Sequence, residues 1–106
     1  MFNIINRKTL LEYCDKYAGA SLALREWYYE LLHSNCKNFN DLKKVYPDAS
    51  IVGDDRVVFN ISENRYRLVV RIVFEFKVIQ IKWFGTHAEY DKIDVKTVQF
   101  KKKNKL

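Results

Sequence analysis

Between Arg65 and Phe76 every second residue is large and apolar: Tyr66, Leu68, Val70, Ile72, Phe74 and Phe76. Successive side chains of a β-strand point to opposite faces, so this spacing predicts one long strand with a continuous apolar side. Its other side reads Arg65, Arg67, Val69, Arg71, Val73 and Glu75. Such a strand needs partners along its edges and a cover over one face only. The flanking segments share the period. In Arg56–Ile61 one side carries Val57, Phe59 and Ile61 and the other Arg56, Val58 and Asn60. In Val78–Gly85, Ile79, Ile81 and Trp83 alternate with Gln80 and Lys82. Ser62-Glu63-Asn64 and Lys77 fall where turns are needed. Short connections make an antiparallel meander the economical topology, with the apolar run Phe2–Ile5 as an edge strand.

The cover comes from the N-terminal half. Thr9-Leu10-Leu11-Glu12 has the form of a capping box, with Asn6 as an earlier possible start, and Leu10, Tyr13, Cys14 and Tyr17 then recur at helical spacing. Gly19 interrupts, and Ser21 is placed to cap a second helix with Leu24, Trp27, Tyr28, Leu31 and Leu32 on one face. Two short helices around a glycine turn predict an antiparallel helical hairpin packed on the sheet. Asn40–Tyr46 adds a helical turn before Pro47, and His87–Lys92 another after Gly85. The expected fold is α+β: a helical hairpin on a small antiparallel sheet, with a short C-terminal helix. At 106 residues there is room for one domain, spanning 1–106, with a frayed basic tail over 101–106. Seven Tyr, seven Phe and two Trp fill its core with few residues. Cys14 and Cys36 form no CxxC pair and have no His at zinc-ligand spacing, so Cys14 reads as a small buried hydrophobe and no metal or cofactor is expected. The N-terminus turns charged too early for a signal peptide and no apolar run reaches membrane length. A cytoplasmic location without membrane contact is the expectation.

Charge is uneven. Residues 1–55 hold seven Lys or Arg against eight Asp or Glu, whereas residues 56–106 hold twelve against five. Four of those twelve lie in the tail Lys101-Lys102-Lys103-Asn104-Lys105, so position tells more than the net +6. Alternation alone gathers Arg56, Asn60, Arg67, Arg71, Gln80 and Lys82 on the sheet face away from the helices. A basic face points to an anionic partner, most commonly nucleic acid. Metal-free RNA cleavage needs a base for the ribose 2′-OH, cations for the pentavalent phosphorane and an acid for the 5′-oxygen. Arginine suits the phosphate and histidine the proton. His87 and Tyr90, three residues apart, share one side of a helical turn. Each has a structural alternative: Arg67, Arg71 and Lys82 as solvated charges, His87 as a capping or packing residue, Tyr90 as sheet packing. His33, at a helix end, reads as a dipole partner or an exposed residue.

Three blocks, Arg56-Val57-Val58-Phe59-Asn60-Ile61, Asn64-Arg65-Tyr66-Arg67-Leu68 and Gly85-Thr86-His87-Ala88-Glu89-Tyr90-Asp91-Lys92-Ile93, resemble in order and spacing the HigB family of RelE-like toxins. The likeness covers about residues 40–95, and the N-terminal helices agree in character. It implies a RelE-like fold and ribosome-dependent cleavage of messenger RNA in the A site. It also implies a HigA-like helix-turn-helix antitoxin, through which alone operator DNA is bound. Carried over by position, Arg67, His87 and Tyr90 are the candidate catalytic group, with Arg56 and Lys82 on phosphate. Arg71 joins the phosphate contacts by alternation. Two other readings share these features: a noncatalytic RNA- or ribosome-binding module, and a protein-interaction domain for an acidic partner.

Overall fold

The computed structural model describes residues 2–5 and 7–98; Asn6 and the Lys tail lie outside the described residues. Five strands form one sheet in the order β1-β5-β4-β3-β2. They are β1 (Asn3–Ile4), β2 (Ser50–Gly53), β3 (Arg56–Ile61), β4 (Tyr66–Val73) and β5 (Val78–Thr86). Strands β2 to β5 make the expected antiparallel meander. The expectation of a wholly antiparallel sheet is corrected by β1, which lies parallel to β5 at the edge and makes the sheet mixed. A parallel neighbour requires a long crossover, here the helices and β2 to β4. The turns are where the sequence put them, with left-handed backbone at Ser62, Glu63, Asn64 and Lys77.

Helices α1 (Arg7–Lys16) and α2 (Ser21–Leu32) form the hairpin, joined through a 3₁₀ turn at Ala18–Ala20, and α3 (Phe39–Val45) follows. Leu10, Tyr13 and Cys14 from α1 and Leu24, Trp27 and Leu31 from α2 are buried against Val57, Phe59, Leu68, Val70, Ile72 and Ile79. Cys14 and Cys36 are both buried and free. Two caps differ from expectation. Thr9 lies inside α1 and is buried, so Thr9–Glu12 is no capping box. Ser21 is the first residue of α2, and the N-cap is Ala20 without a side-chain bond. His33 is the C-cap of α2, its Nδ1 3.0 Å from the Tyr29 carbonyl.

The strands depart from strict alternation twice. Strand β4 ends at Val73, leaving Phe76 71% exposed in the turn to β5. More consequential is a β-bulge in β5: Val69 pairs with Trp83 but the adjacent Val70 pairs with Ile81, so Lys82 is an extra residue. One extra residue reverses every side chain beyond it. Ile79 and Ile81 face the helices as expected, but the next inward residue is Phe84, 1% exposed, and not Trp83. Phe84 stacks on Tyr66 at 5.4 Å and meets Tyr13 and Tyr17 edge-on or tilted at 5.7 and 5.4 Å. Trp83 is turned to the outer face, partly exposed.

This inversion is checkable by stability. Phe84→Ala is expected to lower the unfolding free energy by about 3–5 kcal/mol, the range for deleting a buried aromatic ring. Trp83→Ala, although it removes the larger ring, is expected to cost under about half of that because the ring is partly hydrated. Urea denaturation ranks the two, and the opposite order would contradict the bulge.

Candidate functional site

The outer sheet face is organised in cross-strand rows. Arg56, Arg71 and Gln80 form one row, and Asn60, Arg67 and Gly85 another. Between them Val58 pairs with Val69 and Val69 with Trp83. The predicted residues therefore divide into two groups. Arg67 and Arg71 are four residues apart on one strand, roughly 13 Å at the usual rise.

At the first end, β5 runs directly into α4 (His87–Tyr90), the short helix expected after Gly85. A capping box starts it: the Thr86 hydroxyl accepts from the Glu89 amide at 3.2 Å, and Glu89 Oε1 accepts from the Thr86 amide at 2.8 Å. The His87 amide donates to the Arg65 carbonyl at 2.9 Å, which fastens the helix to the start of β4. Arg67 turns its guanidinium over the Tyr90 ring, 6.0 Å from its centroid, while Nη1 donates to the carbonyls of Asn64 and Tyr66 at 3.0 and 3.2 Å. Trp83 meets the same Tyr90 ring at 6.3 Å. His87 is half exposed, with Nδ1 3.7 Å from Asp91 Oδ2, an ion pair whenever the ring is protonated. Arg67, Tyr90 and His87 thus share one corner, carried by one strand and one helical turn.

Gly85 is what lets this corner close. A Cβ built there would stand 2.6 Å from the Trp83 ring and 2.8 Å from Glu89 Oε1. The residue is glycine because indole and carboxylate approach its backbone closely. Beside the corner an open polar hollow is lined by Asp48, Asn60, Glu63 and Asn64. Its two carboxylates disfavour phosphate there and bound the basic ground on that side.

At the second end the three other cations behave differently. Arg71 is partly exposed, 3.5 Å from Asp55 Oδ2, with Nε donating to the Asp54 carbonyl. Lys82 makes no hydrogen bond or ion pair among the described residues. Burial first, and then the guanidiniums of Arg56 and Arg71, push its ammonium below its ordinary range. Arg56 is 4% exposed and lies under the C-terminal segment, its Nη1 donating to the carbonyls of Val95 and Val98 at 3.0 and 2.7 Å. Its Nε has no partner among the described residues. This face is therefore covered over Arg56, and Val58 and Val69 are buried as well.

Sequence reasoning did not single out Glu89, Asp91, Trp83 or Tyr17 for this corner. Thr86-His87-Ala88-Glu89 has the same capping-box form as Thr9–Glu12, and Asp91 stands four residues after His87, so both signals were present. Trp83 was hidden by the bulge. Tyr17, whose hydroxyl donates to Glu89 Oε1 at 2.8 Å across 72 residues, carries no local signal. Desolvation and then the bond to Glu89 raise the Tyr17 phenol from 10.0 to about 12. The Thr86 amide and the Tyr17 hydroxyl hold the Glu89 carboxyl below its usual 4.5.

Residues 20–93 match the family described as HigB_toxin, the RelE-like toxic component of a toxin–antitoxin system. The chain is also 30% identical over 91 residues to the mRNA interferase toxin HigB of Escherichia coli K12. The proteins named mRNA interferase HigB in Escherichia coli O157:H7 and Shigella flexneri show the same identity. Each alignment covers 84% of this chain and 88% of the relative. No helix among the described residues is long and apolar enough to cross a membrane.

Two measurements test the geometry. Arg56→Ala is expected to lower stability by about 2 kcal/mol, since hydrogen bonds from a buried charged donor are worth roughly that, whereas Arg71→Ala at its partly exposed pair is expected to change it by under about 0.5 kcal/mol. The Tyr17–Glu89 bond has its own pH signature. A lowered carboxyl contributes stability above its unfolded value, lost as pH falls through the folded one; a raised phenol contributes below its unfolded value, lost as pH rises. The stability difference between wild type and Tyr17→Phe is therefore expected to be level between pH 4.5 and 10.0, and to vanish below that window and toward pH 12.

Proposed function

The chain belongs to the HigB family of RelE-like toxic components of toxin–antitoxin systems, and on that premise we propose that it is an endoribonuclease cutting translated messenger RNA in the ribosomal A site. The observation that carries this reading is the corner at the end of β5. There a fixed guanidinium lies over an aromatic ring, and an accessible imidazole stands on the same helical turn as that ring. Its backbone carbonyl contacts fix the Arg67 fork before substrate arrives, which is what stabilising a developing phosphorane charge requires.

In this mechanism the ribose 2′-oxygen attacks the adjacent phosphorus and the bond from phosphorus to the 5′-oxygen breaks. His87 is the proton-transfer residue, with Asp91 orienting its ring. Arg67 neutralises the phosphorane oxygens. Tyr90 braces the Arg67 guanidinium and offers a ring to the neighbouring base. The products are a 2′,3′-cyclic phosphate and a 5′-hydroxyl, with one proton leaving the 2′-oxygen and one arriving at the 5′-oxygen. Charge is neutralised by arginine, with no metal in the scheme. Arg71 and Lys82 take flanking phosphates, and Arg56 adds its charge from beneath Lys82. A HigA-like helix-turn-helix antitoxin neutralises the toxin and supplies the contact with operator DNA.

Induction in cells is expected to arrest growth, relieved by co-expression of the adjacent antitoxin gene. Primer extension on translated messages is expected to map discrete cuts whose upstream fragments end in cyclic phosphate. Arg67→Ala and His87→Ala are each expected to reduce cleavage by roughly 10²–10⁴-fold, the usual weight of a positioned proton-transfer or charge-stabilising group. Full toxicity of the double variant would exclude this site. Salt-sensitive ribosome binding with no message cleavage would instead identify a noncatalytic binding module.

A further inference from the structure

Helix α4 is four residues long, far below the length at which a helix is stable by itself. His87 and Tyr90 can hold a fixed geometry only if something outside α4 holds it. The main candidate is Glu89, which lies on the same turn and is the carboxylate of the Thr86 capping box. One of its oxygens, Oε1, accepts two hydrogen bonds of 2.8 Å, from the Thr86 amide and from the Tyr17 hydroxyl. The phenol is itself fixed. Its ring meets Tyr66 and Phe84 edge-on at 5.7 and 5.4 Å, and Lys16 Nζ lies 5.3 Å over its face. Tyr66 is paired with Thr86 across β4 and β5, so the Tyr17 ring stands on the strands that α4 grows from.

The geometry points to Glu89 and Tyr17 as positioning residues that lock the His87–Tyr90 turn onto the helical hairpin, with the carboxylate taking no part in proton transfer. This rests on the ribonuclease reading of the corner. A carboxylate two residues from a histidine is an obvious choice for a general base, and three observations argue against it. Its Oε1 already accepts two hydrogen bonds, which fix the carboxylate in place. Those donors hold the carboxyl below its usual range, which makes it a weaker base. And Oε1 lies close over Gly85, at the root of the turn, while His87 is turned toward Asp91.

The chemistry separates the two roles. Glutamine keeps an oxygen at the Oε1 position that can accept both bonds, yet it cannot take a proton. Alanine removes the tie. Phenylalanine at 17 keeps the ring contacts and removes one donor. Cleavage by the full-length chain is to be compared across Glu89→Gln, Glu89→Ala and Tyr17→Phe, with amide hydrogen exchange at residues 86–91 of the free proteins measured alongside. Glu89→Gln is expected to keep cleavage within about 3-fold of wild type with an unchanged pH profile, since no proton-transfer group is lost. Glu89→Ala is expected to lose roughly 10–100-fold in kcat with little change in KM, the scale of a misplacement of about 1 Å. Tyr17→Phe is expected to fall between them. Exchange at the Thr86 and Glu89 amides is expected to quicken in Glu89→Ala and Tyr17→Phe and to stay slow in Glu89→Gln.

A Glu89→Gln variant as impaired as Glu89→Ala, with a limb of the pH profile gone, would overturn the inference and make the carboxylate a base. So would unchanged exchange at residues 86–91 in Glu89→Ala. Because exchange is read without RNA, it decides the tie even if wild type fails to cleave, and that failure would count against the ribonuclease reading alone. Gly85→Ala is a further check that leaves both residues in place. Its methyl is expected to push Glu89 Oε1 and the Trp83 ring aside and reproduce the Glu89→Ala exchange pattern.

Discussion

One extra residue in β5 decides how the two faces of this sheet are populated. With Lys82 bulged opposite Val69, the inward series runs Ile79, Ile81, Phe84 and the outward one gains Trp83 and Gly85. Without it Trp83 would point into the helical hairpin, where Phe84 now stacks on Tyr66 and meets Tyr13 and Tyr17. Both supports of the candidate site descend from this irregularity. On the outer side Trp83 lies against Gly85 and Tyr90. On the inner side the Phe84–Tyr66 stack carries Tyr17, whose hydroxyl reaches Glu89. Bulges beside active sites re-aim side chains in this way, and the cost is a locally disrupted ladder.

Electrostatics gives the outer face two unlike ends. Lys82, Arg56 and Arg71 lie near enough for their like charges to repel one another. The partial compensation comes from Asp55, the Asp54 carbonyl and the carbonyls of Val95 and Val98. Burial first, and then that repulsion, lower the affinity of Lys82 for its proton. The Arg67 end works otherwise. Its guanidinium is held by neutral carbonyls and a ring, so its charge is fixed in place, with no carboxylate partner among the described residues.

The strands were legible because their period is physically enforced: Val57, Phe59 and Ile61, then Leu68, Val70 and Ile72, have one covered face and alternate without interruption. The helices were legible for the same reason, through Leu10, Tyr13, Cys14, Leu24, Trp27 and Leu31. Where alternation alone was extended, it failed. It carried β4 on to Phe76, into the turn whose left-handed residue is Lys77, and it placed Trp83 inward because an inserted residue leaves no mark in composition. The cap motif was right in form and assigned to the wrong end of the chain. Thr9–Glu12 falls within a helix already under way, and Thr86–Glu89 begins one. The basic face was legible as a set of residues but not as two ends, since which cation is covered depends on where residues 95 and 98 cross it.

The side chains best placed for chemistry sit on the element least able to fold by itself. A four-residue turn gains little from its own hydrogen bonds, so its geometry is borrowed. The Arg65 carbonyl supplies one fixed point, the Thr86–Glu89 box a second, Tyr17 a third and the Trp83 ring a fourth. These come from β4, β5 and the end of α1, three segments brought together only by the completed fold. The full set of supports exists only in the completed fold, because the Arg65 bond requires the β4–β5 pairing and the Tyr17 bond requires the docked hairpin. The arrangement therefore couples presentation of His87, Tyr90 and Arg67 to completion of the whole domain. It also explains why a local block such as residues 85–93, informative as a signature, does not by itself contain what fixes its geometry.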